Sequence, residues 1–248
     1  MSDHWETFPC QMGEHAAWIS YDHGLRNELD RLPFANCARF AVTLIQPDDR
    51  GLPHGGEFEK LNAIEDQLLE EIPSTVGIQI GRVTTNGKRF FFFFTLLDDD
   101  AVANIAEKLA SAYQYKISYA HEADPERSCY WNDLFPTAND WQVIQDIRVQ
   151  EALRNDGDNL TTPRPIEHWA YFKTEADRDR FVATVGSRFD ACDLYETPDS
   201  DEGKYTAKLK HTGLPDYRSM NSVTILLSNT ARECNGDYDG WETEVCRN

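Results

Sequence analysis

Gly81-Arg82-Val83-Thr84-Thr85-Asn86-Gly87-Lys88-Arg89-Phe90-Phe91-Phe92-Phe93-Phe94 is the stretch whose reading decides the fold. Asn-Gly between β-branched and aromatic residues is the strongest short-range hairpin signal, because both turn positions tolerate φ > 0. The spacing predicts two strands, 76–85 and 88–97, around Asn86-Gly87. Successive side chains of a strand point to opposite faces. Phe90, Phe92 and Phe94 therefore share one face, and Phe91 and Phe93 the other. A sheet with helices on one side needs a single apolar set. The second set predicts a cover: the other domain, the residues before 38, or a partner. An internal domain interface is preferred, because large exposed apolar patches are rare.

Outward from the hairpin, 38–45 reads as a strand, followed by the loop Pro47-Asp48-Asp49-Arg50-Gly51. Phe58, Leu61, Ile64, Leu68 and Ile72 recur at three- and four-residue steps, one helical stripe that Pro73 stops. Asp98-Asp99-Asp100 opens a second helix, where carboxylates suit the positive end of the dipole. Val102, Ile105, Ala106, Leu109 and Tyr113 form its stripe, and 115–119 closes the unit as a strand. Residues 120–138 contain Pro125 and Pro136 and read as a junction, followed by a helix at 139–155 that could pack the halves together. The order then repeats: strand 167–172, helix 174–185, strands 188–195 and 204–211 around an acidic turn, a helix after Pro215, and strand 238–245. The expectation is an α+β chain of two tandem ferredoxin-like (βαββαβ) sandwiches, 1–136 and 137–248.

The chain has 248 residues, 43 acidic and 24 basic, for a formal charge of −19. The excess is shared: 22 acidic against 11 basic residues in 1–136, and 21 against 13 in 137–248. Lys and Arg form no separate patch, so direct binding to nucleic-acid phosphates or to an anionic membrane is disfavoured. The charge leaves basic or neutral partners. Met1 to Pro9 carry no basic segment or apolar run, and no apolar stretch approaches the ~20 residues of a membrane span. A cytoplasmic protein is expected. The six cysteines form no CxxC pair and read as reduced thiols.

Candidate chemistry is sparse. GxSxG, HExxH, GxxxxGK[ST] and GxGxxG are absent from the sequence. Asp156-Gly157-Asp158 with Glu167 imitates part of a calcium loop, yet Thr161 stands where glycine is required and Pro163 and Pro165 stiffen the middle. No metal site, cofactor or catalytic residue is expected. His168 is a candidate general base with no nucleophile fixed beside it; a histidine hydrogen-bonded at a strand end is the simpler reading. Trp131 and Trp141 read as packing aromatics. Tyr238-Asp239-Gly240-Trp241-Glu242 is the most unusual local pattern, because Asp-Gly inside a strand signals a bulge. Its aromatics suit either an interface or internal packing.

Gly157-Asp158-Asn159-Leu160, the tract from Pro163 to Phe172, and Tyr238 to Glu242 together resemble the regulator of ribonuclease E activity B family, over about residues 139–248. Gly51-Leu52-Pro53, Glu65-Asp66 and Gly81 to Gly87 resemble an uncharacterised domain often joined to that module. The resemblance implies a ferredoxin-like, cytosolic, non-catalytic protein that binds an endoribonuclease rather than RNA. The extra domain in front departs from the family pattern and could redirect the module. The resemblance places Asp239, Gly240 and Trp241, with Arg164 and His168, as partner-binding residues. The expected partner is a protein, a ribonuclease with basic segments, met through a salt-sensitive acidic surface. The alternatives are an immunity protein or nucleic-acid mimic against a toxin nuclease, and an enzyme or small-molecule binder using a pocket between the two domains.

Overall fold

A computed structural model describes residues 4–196 and 204–247. The chain divides into two compact units, Met1–Phe135 and Pro136–Asn248. Both are mixed α+β, and each is built on one antiparallel sheet.

The first unit opens with a hairpin, β1 (Trp5–Met12) and β2 (His15–Asp22). It continues through β3 (Asn36–Thr43), α1 (Glu57–Glu71), β4 (Gly77–Thr85), β5 (Lys88–Thr95), α2 (Asp99–Tyr113), β6 (Ile117–Ala123) and a short α3 (Ser128–Asp133). The six strands lie in the order β1-β2-β4-β5-β3-β6. The Asn86-Gly87 hairpin has φ of 45° and 69°, the left-handed pair that a tight two-residue turn demands. Asp98 caps α2 by accepting from the Ala101 N–H at 2.9 Å. Phe91 and Phe93 face the helices and are fully buried with Phe40, Leu61, Ile64, Val102 and Leu109.

Phe92 and Phe94, on the other face, are also buried. Phe94 is covered by its own unit, whereas Phe90 is half-buried and lines with Phe92 an open hollow of about 370 Å3. The Arg127 guanidinium lies 4.8 Å from the Phe94 ring centroid and donates to the Phe34 and Leu32 carbonyls. Leu134 packs so closely on Gly81 that a Cβ there would meet its Cδ1 at 2.7 Å. Tyr130 stacks edge-on to Tyr21 at 6.0 Å and donates to the Asp22 carbonyl. The segment that reads as a junction in sequence thus folds back on the sheet. Cys37 of β3 and Cys129 of α3 are joined by a disulfide, which corrects the reading of all six cysteines as reduced. A separation of 92 residues carries no sequence signal for that pairing.

The second unit contains α4 (Ala138–Asn155), β7 (Arg164–Phe172), α5 (Glu175–Val185), β8 (Ala191–Glu196), β9 (Tyr205–Gly213), α6 (Tyr217–Glu233) and β10 (Gly236–Thr243). The acidic turn expected between β8 and β9 lies at 197–203, outside the described residues. The strand order is β10-β7-β9-β8. Thr137 and Asp140 form a reciprocal capping box that starts α4. α4 packs on α6 and β10 of its own unit. The core gathers Phe172, Phe181, Ala207, Leu209 and Leu227, with a second cluster of Leu153, Leu160, Ile166, Met220 and Trp241.

Candidate functional site

β10 is an edge strand paired with β7. Its register shifts between Tyr238 and Gly240, so Asp239 is the extra residue of a bulge. Gly240 sits there at φ +140°, a conformation that side-chain-bearing residues avoid. The bulge has a packing consequence. Tyr238 and Trp241 are three apart, and strict alternation would send them to opposite faces. The bulge pairs them with Ala170 and His168, two buried residues of one β7 face. Both aromatics therefore point into the unit, 7% and 6% exposed. Asp239 remains exposed and Gly240 half-exposed.

Each inward side chain has an internal partner. The Trp241 indole N–H donates to Asp146 Oδ1 at 3.0 Å. Asp146 is fully buried and also accepts from Gln142 Nε2 and the Thr224 hydroxyl. Burial pushes its carboxyl pKa up, and these three donors oppose the rise. The Tyr238 hydroxyl lies 2.8 Å from His168 Nδ1, and His168 Nε2 lies 3.1 Å from His211 Nδ1. Two tautomer assignments satisfy the chain: Tyr238 donates to His168, whose Nε2–H donates to His211, or His211 Nδ1–H donates to His168, whose Nδ1–H donates to Tyr238. Burial, with the charge of His211, pulls the His168 pKa down to about 3, so it is neutral at ordinary pH. That geometry fills both ring nitrogens of the candidate base. Arg164 is 5% exposed and holds Asp158 at 2.5 Å. Burial raises the Asp158 pKa, but the N–H groups of Cys246 and Leu160 and the Arg164 guanidinium outweigh it and hold it below the usual carboxylate range. Asp158, the best part of the imitated calcium loop, is thus engaged by protein donors.

Of the five residues singled out in sequence, Trp241, Arg164 and His168 hold the unit together, and Asp239 and Gly240 reach its surface. Beside that bulge the sequence reading missed a set. Glu167, Trp169 and Tyr171 alternate with buried Ile166, His168, Ala170 and Phe172, so they occupy the sheet face away from α5 and α6. Lys208 of β9 lies 4.6 Å from the Trp169 ring centroid and 2.7 Å from Glu167. The Lys208 hydrogen bond, over some desolvation, holds the Glu167 pKa down. Trp169 donates its indole N–H to Glu242 at 3.3 Å. A hollow of about 210 Å3 runs beside it, lined by Gln145, Arg148, Trp169, Asp239 and Glu242. The period-two pattern of β7 was the signal that could have found this face.

Among the described residues, Cys37, Asp124 and Cys129 bring three metal-type donor atoms within 4.8 Å of one another. The sulfurs are spent on each other, and the Asp124 oxygens accept from the Ser128 and Cys129 N–H groups. Among the described residues, no helix is long and apolar enough to cross a membrane.

Fold and surface define a class: a tandem α+β protein with one antiparallel sheet per unit and a mixed aromatic and charged face on the second. Residues 3–135, over half of the chain, match the model described as a family of unknown function (DUF695), and the chain belongs to that family. Residues 143–243 match the model described as Regulator of ribonuclease activity B, the architecture that the sequence tracts imply. No curated protein matches the chain. A solved structure described as an unknown protein from Galdieria sulphuraria is similar at 11% identity, covering 84% of this chain and 99% of that chain with a TM-score of 0.20.

Proposed function

We propose that the second domain, 137–248, is a ferredoxin-like module that binds a protein and restrains RNA cleavage by an endoribonuclease of the ribonuclease E kind, with no chemistry of its own. The match of residues 143–243 to the regulator family carries the reading. The βαββαβ element order and the strand order β10-β7-β9-β8 support the module assignment. In the first domain, 1–136, the same order recurs as β6-β3-β5-β4, extended by the β1-β2 hairpin. The docking surface is the Asp239-Gly240 bulge with Trp169, Glu167 and Glu242. Glu167 is paired with Lys208 and Lys210, so the acidic part beside the Trp169 anchor is Asp239 with Glu242, the combination that suits a basic protein segment. Free nucleic acid is not the ligand, because both halves of the chain carry net negative charge. A cytoplasmic setting is part of the same reading, supported by the match of residues 143–243.

Purified full-length protein is added to such an endonuclease cleaving a fluorogenic RNA, at low and moderate salt. The expected result is slower cleavage at low salt, weakened by salt and by Asp239→Lys at an unchanged melting temperature. Unchanged cleavage, with no nuclease recovered in a pull-down, refutes the proposal.

A further inference from the structure

The first domain holds a cleft that partner binding by the second does not use. It lies on the helix side of the sheet, where β2, β4 and β5 meet the start of α1, and measures about 480 Å3. That size lies within the range of small-molecule sites. Trp18 of β2 and Phe58 of α1 line it, 44% and 46% exposed. Arg50, Arg82 and Arg89 line it too. Three guanidinium groups in one cleft run against a chain charge of −19.

Arg89 is the informative one. Register fixes it on β5 opposite Thr84 of β4 and Val42 of β3. It is 7% exposed, and its Nε donates to the Thr84 hydroxyl at 2.9 Å. Among the described residues, no carboxylate lies within ion-pair distance of it. A buried guanidinium bonded to a single hydroxyl leaves most of its five donors to be satisfied. Of the neighbouring carboxylates, Glu65 is engaged through both oxygens and Glu57 through Oε1, while Glu57 Oε2 is buried without a partner among the described residues. Glu65 holds Arg82 and Gln79, each at 2.6 Å, and Glu57 Oε1 accepts from the Ile45 N–H and the Tyr115 hydroxyl. Arg50 is bound to Asp48 at the rim. Burial and the Arg82 charge pull the Arg89 pKa down to about 10, which leaves it charged at neutral pH.

We propose that this cleft binds a nucleoside monophosphate, with its phosphate on Arg89 and Arg82 and its base against Trp18 and Phe58. The arginine fork matches phosphate oxygens. Indole and phenyl faces stack on any base, and each such contact is commonly worth a sizeable share of the affinity. Ser20 and Asn62 also line the cleft and supply polar contacts for the sugar. The surrounding negative field disfavours a polyanion, whose repulsion grows with every phosphate, more than a single phosphate seated in a basic cleft.

Calorimetric titration of the full-length protein with AMP, adenosine and inorganic phosphate, each to about 5 mM, tests this. The expected result is AMP binding that adenosine and phosphate do not match. Trp18→Ala and Phe58→Ala are surface changes that keep the melting temperature and weaken AMP by about tenfold or more. Arg89→Met abolishes binding; if it fails to fold, the two aromatic variants decide. No heat with AMP, equal binding of adenosine or phosphate, or wild-type affinity in both aromatic variants overturns the proposal.

Discussion

Replacing Trp241 separates a packing role from a displayed one. Its indole is 6% exposed and packs with Leu153, Leu160, Ile166 and Met220. Trp241→Ala loses that burial and leaves Asp146 short of one donor, together about 4–6 kcal/mol. That approaches the whole stability of a small domain, commonly about 5–15 kcal/mol. Trp241→Phe keeps an apolar ring and loses only the N–H, about 1.5–3 kcal/mol if the acceptor is ionised. Asp146→Asn provides the control. Its Oδ1 still accepts from Trp241 and Gln142, and Thr224 can turn to accept from Nδ2 while donating to the Met220 carbonyl, now 3.1 Å away. In that background Trp241→Phe costs about 1 kcal/mol less, because the acceptor is neutral. The assay is urea unfolding of the full chain with amide exchange read on peptides from β7 and β10. Trp241→Ala within about 0.5 kcal/mol of wild type at those strands refutes the packing argument.

Three further outcomes are expected. Arg164→Met leaves the buried Asp158 carboxylate with only the Leu160 and Cys246 N–H groups and destabilises the second domain by about 3–5 kcal/mol, as chemical denaturation will show; adding Asp158→Asn does not restore it, because each carboxylate oxygen accepts a backbone N–H and the amide Nδ2 would meet one of them. His168 titrates near 6.5 when unfolded but at about 3 when folded. The unfolded state therefore binds more protons in that window, and stability falls as pH drops from 6.5, by up to about 1.4 kcal/mol per pH unit from this group. His211, also depressed by burial, adds in the same sense. Melting temperatures between pH 6.5 and 4.5 check it, and His168→Gln flattens the slope. Reducing Cys37–Cys129 opens a 92-residue loop and costs the first domain about 4–5 kcal/mol in the chain-entropy model; melting with and without dithiothreitol measures it.

Elements that signal their own period were legible. The α2 stripe, the Asn86-Gly87 turn and the five-phenylalanine strand are local statements, and the structure places α2 and β5 within two residues of the readings. The β1-β2 hairpin was not read. Pro9 sits in β1, tolerable because that strand is the sheet's edge, and β2 is held by pairing with β4 some sixty residues away. α3 spans six residues, too few for a helical period to show.

The sequence by itself determined that two α+β units follow one another, that both are acidic, and that Asp239-Gly240 breaks a strand. Those properties reside in neighbouring residues and in sums over the chain. Only the tertiary structure decided which side chains face out. Because of the bulge, Tyr238 and Trp241 turn to the same buried face, and Asp146, 95 residues from Trp241, supplies the acceptor that keeps the indole there. Likewise Arg164 finds Asp158, and Cys37 finds Cys129, while Arg89 finds one hydroxyl and an open cleft. Burial and partnership are set by strand register and long-range pairing, and no local pattern encodes them.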